Sequence, residues 1–104
     1  NMAVTTKGIE GVVVHPQWGV PMGFHTLARV DFDFMNKTTY VTLSSYYNKA
    51  VLEAGGAHMH NVTVQMEGAA LTTETALLEA IIAAPNSPLG TGTVATYTAA
   101  GAEA

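Results

Sequence analysis

His58-Met59-His60 sets two imidazoles two residues apart, on one side of an extended chain. Neutral imidazole is a common metal ligand, and that spacing can grip a metal. A stable site needs a third ligand, and none stands nearby in the sequence. His60 also shares a strand face with Val62 and Val64, which suits a hydrogen-bonded residue at the edge of a core. Asp31 and Asp33 are also two apart; such carboxylates can do acid–base work or hold a hard cation. Beside Arg29 on a polar strand face, they read instead as solvated charge. Ser44-Ser45 lies inside an extended run, with no Gly-x-Ser-x-Gly elbow to activate it. Gly90-Thr91-Gly92 follows a helical segment rather than opening one, so it is no dinucleotide fingerprint, and no P-loop occurs. Trp18, Tyr46 and Tyr47 could stack on a sugar, but aromatics at strand ends usually serve a core or an interface.

Gly56 to Glu67 resembles the cupin metal motif, in which His-x-His is followed by Glu. Glu67 comes too late after His60, and the expected upstream glycine is missing. Pro88-Leu89-Gly90 lacks the histidine that follows the second cupin motif. A small metal- or ligand-binding β-domain using His58 and His60 is therefore the alternative reading. The main reading has no catalytic residue, no cofactor and no metal, and is not an enzyme.

These residues need elements to hold them. Ile9 to Val14 is a largely β-branched run and reads as a short strand. Gln17 to Gly23 reads as a loop, broken by Gly19, Pro21 and Gly23. It carries Trp18 and Met22, which are unfavourable to leave in water. Phe24 to Phe34 alternates, with Phe24, Thr26, Ala28, Val30, Phe32 and Phe34 on one face. His25, Leu27, Arg29, Asp31 and Asp33 take the other face. Met35 to Thr38 is a tight turn with Asn36 suited to positive φ, and Tyr40 to Tyr47 returns as the second arm of a long hairpin. In this register Phe32 faces the core, so Phe32→Asp would block folding and Asp33→Ala would be nearly neutral.

Asn48 to Ala54 fits a short helical turn or irregular chain, and Gly55-Gly56 ends it. His60 to Met66 alternates as a third clear strand. The period then changes. Thr72 or Thr73 is placed as an N-cap, with Glu74 in the first turn. Leu77, Leu78, Ile81 and Ile82 form one apolar stripe, and Pro85 stops the helix. Asn86 to Gly90 is a loop, and Thr91 to Thr98, with Val94 and Tyr97, is the last strand. Ala99 to Ala104 reads as a tail that a neighbouring chain could hold. The expected fold is an α+β single domain over residues 1–104: an antiparallel sheet with a long hairpin and one helix packed on one face. Asn1 ahead of Met2 reads as an added residue before the initiator.

The chain has 104 residues and no cysteine, which excludes disulfides and thiolate chemistry. Charged residues make up 12%, about half the ~25% usual in soluble domains. So little charge suggests a surface partly covered by another chain. Four scattered basic residues and a net charge of −4 argue against nucleic acid and anionic membranes as partners. No run reaches the ~20 apolar residues of a membrane span, and no signal segment opens the chain.

Gly23-Phe24-His25 leads into the strand Arg29-Val30-Asp31-Phe32-Asp33-Phe34. A turn with Lys37-Thr38 follows, then Tyr40-Val41-Thr42-Leu43-Ser44-Ser45-Tyr46, an Ala-Gly-Gly linker and Val62-Thr63-Val64. With the helix Glu74 to Ala84, this rhythm resembles small structural proteins of tailed bacteriophages and prophages. The resemblance covers about two-thirds of the chain. It implies a non-enzymatic part of a tail, baseplate or connector, assembled as a homo-oligomer or ring with other structural proteins. It implies a virion, or the host cytoplasm during assembly. It carries no functional residue across. The expected contact residues are Trp18, Met22, Tyr46, Tyr47 and Tyr97. Replacing His58 and His60 together with Gln should leave the fold intact, and metal analysis of the purified protein should find no stoichiometric zinc, iron or manganese; one tightly held equivalent would favour the β-domain alternative.

Overall fold

The computed structural model describes residues 5–67, 73–84 and 87–98. The strands are β1 (Thr5–Val14), β2 (Pro21–Asp33), β3 (Thr38–Tyr46), β4 (His60–Glu67) and β5 (Thr93–Thr98). The helices are α1 (Lys49–Glu53) and α2 (Glu74–Ala83). The strands form one antiparallel sheet in the order β4-β3-β2-β1-β5. The chain thus has two helices where one was expected. Leu71, Thr72, Pro85 and the tail from Ala99 lie outside the described residues.

Local chemistry sets the boundaries. Asn48 caps α1 by accepting from Val51 N at 2.9 Å, and Thr73 caps α2 by accepting from Ala76 N at 3.1 Å. Glu74, one residue into α2, accepts from Lys7 N at 2.8 Å, and Lys7 Nζ donates to Thr75 Oγ1 at 2.9 Å. These bonds fasten the start of α2 to β1. Leu77, Leu78 and Ile81 then enter a core with Ile9, Val41, Leu43, Val62, Val64 and Leu89.

The hairpin departs from its expected form in three ways. First, β2 begins at Pro21, inside the segment expected as a loop. Pro21 and Met22 pair with Val14 and Val13, and a proline is tolerated at the first position of a strand. Second, the alternation breaks at Ala28, where the pairing with β3 shifts between Leu27 and Arg29. Such a bulge reverses which side chains face which way. Before it, His25 and Leu27 share a face with Ile9, Ser45 and Leu43, while Phe24 points to the opposite side. After it, Val30 and Phe32 join the side of Val41 and Thr39. The six even residues therefore do not form one apolar face. Third, Lys37 rather than Asn36 takes positive φ, at 52°. Asp33 closes that turn by accepting from Met35 N, Asn36 N and Asn36 Nδ2 at 2.8–3.1 Å.

Phe24 is fully buried. Its ring lies over Gly8, where a methyl group would meet it at 2.8 Å, and meets Tyr97 edge-on with centroids 5.6 Å apart. Phe32 is only half-buried and packs edge-on against Phe34, which is exposed. The hairpin's critical aromatic is thus Phe24. Phe24→Ala should cost about 3–5 kcal/mol and Phe32→Ala about 1–2 kcal/mol in urea unfolding. Asp33→Ala should be measurably destabilising rather than neutral, because it frees three donors in the turn. Equal losses at Phe24 and Phe32 would contradict this packing.

Candidate functional site

The strand register assembles a row that the sequence scatters. Val94, Ile9, His25, Ser45 and His60 stand side by side across β5, β1, β2, β3 and β4. His25 and Ser45 are fully buried. His25 Nε2 lies 2.8 Å from Gly11 O, and His25 Nδ1 lies 2.7 Å from Ser45 Oγ. A carbonyl only accepts, so Nε2 carries the proton and the Ser45 hydroxyl donates to Nδ1. Gly11 lies where β1 bulges between Glu10 and Val13, so the imidazole takes up a carbonyl at a break in the ladder.

A serine hydroxyl bonded to an imidazole is half of a nucleophilic pair. Here both side chains are sealed from solvent, so no substrate can approach Ser45 in this conformation. The pair joins three strands: β1 through Gly11, β2 through His25 and β3 through Ser45. Burial holds the His25 pKa below its ordinary 6.5, against the opposing pull of the hydrogen bond to Gly11. The ring therefore stays neutral.

His15 extends this end of the sheet. It is nearly fully buried, and its Nδ1 accepts from Gln17 N at 3.1 Å and Trp18 N at 3.2 Å. Trp18 stacks flat on it, with centroids 4.2 Å apart and planes within 5°. Gly19 closes the loop at φ 69°. The inner face of Trp18 covers His15, yet 64% of the residue stays exposed.

The two histidines singled out by spacing turn to different neighbours. His60 meets His15, with centroids 4.7 Å apart, and His58 meets Tyr46 at 6.1 Å. Among the described residues, no three His, Asp or Glu side chains gather as a metal would need. Asp31 pairs with Arg29 at 2.9 Å, while Asp33 serves the turn, so these carboxylates do not act together. The Asn36 amide, its side chain first, holds Asp33 below the usual carboxylate range.

Of the expected contact residues, Trp18 and Tyr47 are exposed, and Tyr46 and Tyr97 are half-buried. Met22 is fully buried inside its own chain, as part of β2, and so offers no surface to a partner. Composition missed the exposed Phe34 and Met35 at the hairpin tip, at 74% and 91%. Their signal was two large apolar residues at the entry to a turn. A further opening, a cleft of about 700 Å³, lies between β4 and the end of α2, lined by residues including Met66, Ala80, Ala83 and Ala84.

Comparison with known proteins finds no matching family model, no matching curated protein and no matching solved structure. Among the described residues, no helix is long and apolar enough to cross a membrane.

The neutral His25 has a consequence in solution. The unfolded chain takes up a proton near pH 6.5, while the folded chain resists it to lower pH. Its stabilising contribution is complete above 6.5 and declines as pH falls from there toward the lowered value. Thermal melts from about pH 7 to about pH 5 should show falling stability in the native protein and a shallower fall in His25→Gln. Identical slopes would show that His25 does not carry the effect.

Proposed function

We propose that this chain is a non-enzymatic structural subunit that works by assembling with copies of itself and with neighbouring structural proteins. One observation carries the reading: large apolar side chains are exposed at both ends of the long hairpin. Phe34 and Met35 crown its tip. Trp18, Tyr47, Val12 and Val14 are exposed at the opposite end, where β1 leaves the sheet and β3 stops. Thirteen residues of β2 span about 40 Å at ~3.3 Å each, matching the molecule's longest extent of 42 Å. Two patches so far apart cannot cover one another within one chain.

Each of these side chains gains roughly 1.5–3 kcal/mol on full burial. Contacts between unlike ends repeat from copy to copy, closing into a ring or running on as a stack. The low charge content fits a surface that is covered in the assembled state. The sealed Ser45–His25 pair fits a scaffold better than an enzyme. The resemblance of the Gly23 to Ala57 rhythm to phage structural proteins supports a tail, baseplate or connector as the setting, in a virion or in the host cytoplasm during assembly.

Light scattering across a dilution series should show a species heavier than one chain. Trp18→Gln with Phe34→Ser should drive it toward the monomer while leaving the far-ultraviolet circular dichroism spectrum of the folded chain unchanged. A protein that stays monomeric at high concentration would overturn the proposal. Mass spectrometry of purified tail particles tests the setting.

A further inference from the structure

The two outer strands of the sheet are not equivalent. On β5, Thr96 O accepts from Lys49 Nζ at 3.3 Å and Thr98 N donates to Glu53 Oε2 at 2.9 Å. Lys7, opposite Thr96, turns its own N–H to Glu74. The Lys7–Thr96 pair is therefore of the type that does not exchange ladder bonds, and Thr96 O and Thr98 N face off the sheet. Side chains of α1 thus occupy that edge. No such cover lies on β4 among the described residues.

An open edge strand is usually guarded by lysine, proline, a bulge or shortness. β4 has none of these. It is eight residues long, contains no proline or lysine, and pairs with β3 without a shift from His60 to Glu67. Its sole charged residue, Glu67, is the last.

We infer that β4 is the seam at which a second copy of this chain adds, strand to strand and antiparallel, across a twofold axis through Thr63. The inference rests on the assembly reading and supplies its lateral contact, beside the two apolar ends. The strand is complementary to itself in this register. Val62 lies opposite the second copy's Val64, Asn61 opposite Gln65, and Thr63 opposite Thr63. Glu67 falls opposite Met59, so no like charges meet. The cleft beside the edge selects the same register. Val62 and Val64 point to the core side, where Val64 and Met66 line, with Ala80, Ala83 and Ala84, a cleft of about 700 Å³. The axis through Thr63 keeps core face beside core face, so the two clefts open on the same side of the joined sheet, one to each side of the axis. A slip of one residue would set Val64 opposite Thr63 and turn the second copy's polar face toward the cleft.

The chain contains no cysteine, so one introduced thiol reports cleanly. Antiparallel neighbours place facing Cα atoms about 4.5–5.5 Å apart, within disulfide reach. Under mild oxidation, Thr63→Cys should form a reducible dimer on the order of tenfold faster than Thr96→Cys on the covered edge, through its higher effective concentration. Separately, Thr63→Lys with Gln65→Lys should lower the mass seen by light scattering, and mixing with Thr63→Glu/Gln65→Glu should restore pairing between the two variants. Equal cross-linking at both sites, with an assembled native protein, would overturn the β4 seam and leave the assembly reading standing. A native protein that is monomeric at every concentration would overturn both. Should the lysine variant fail to fold, the cysteine comparison still decides.

Discussion

A single buried imidazole ties the sheet together where its ladder is weakest. β1 bulges beside Gly11, and a bulge leaves backbone groups without ladder partners. His25 reaches from β2 to the Gly11 carbonyl and takes the Ser45 hydroxyl of β3 on its other nitrogen. One ring thereby satisfies polar groups from two neighbouring strands. It does so as the neutral ring, donating from Nε2 and accepting on Nδ1, and burial disfavours the charged form. Removing the ring would leave a buried hydroxyl and a carbonyl unpaired, at about 1–3 kcal/mol each.

The rest of the architecture divides around this row. On its side of the sheet, Ile9, Leu43, Val41 and the valines of β4 receive α2. On the other, Phe24 lies over Gly8 and meets Tyr97. The bulge at Ala28 moves the aromatic residues of β2 apart, so Phe24 is sealed while Phe32 leads out to Phe34. The hairpin therefore has a packed root and an apolar tip. The opposite end of the molecule keeps His15 nearly buried by placing Trp18 over it, and exposes the outer face of Trp18 instead. Both ends are left with apolar surface that a lone chain does not cover.

Elements with local chemistry were legible in the sequence. Val62 and Val64 alternate cleanly, and Thr73 with Glu74 marks the start of α2. Leu77, Leu78 and Ile81 mark the buried stripe of that helix. The turn between β2 and β3 was placed correctly, though Lys37 took the positive φ foreseen for Asn36. What depends on pairing was not legible. The bulge at Ala28 has no residue signature, since alanine fits either face. Without it, Phe24 and Phe32 look equivalent and His25 looks solvated. The row of His25, Ser45 and His60 exists only once the register is known. Pro21 and Gly23 suggested a loop, but a first-position proline fits a strand that begins beside Val14. His58 and His60 suggested a shared ligand pair, yet the chain turns their rings to Tyr46 and His15.

The central claim is that apolar surface exposed on one chain is covered by another. Trp18 is the only tryptophan in the chain and sits on that surface, so its own fluorescence reports the event. With rising protein concentration, emission should shift to shorter wavelength and acrylamide quenching should weaken as Trp18 leaves water. Emission that stays red-shifted and fully quenchable from dilute to concentrated solution would contradict the account.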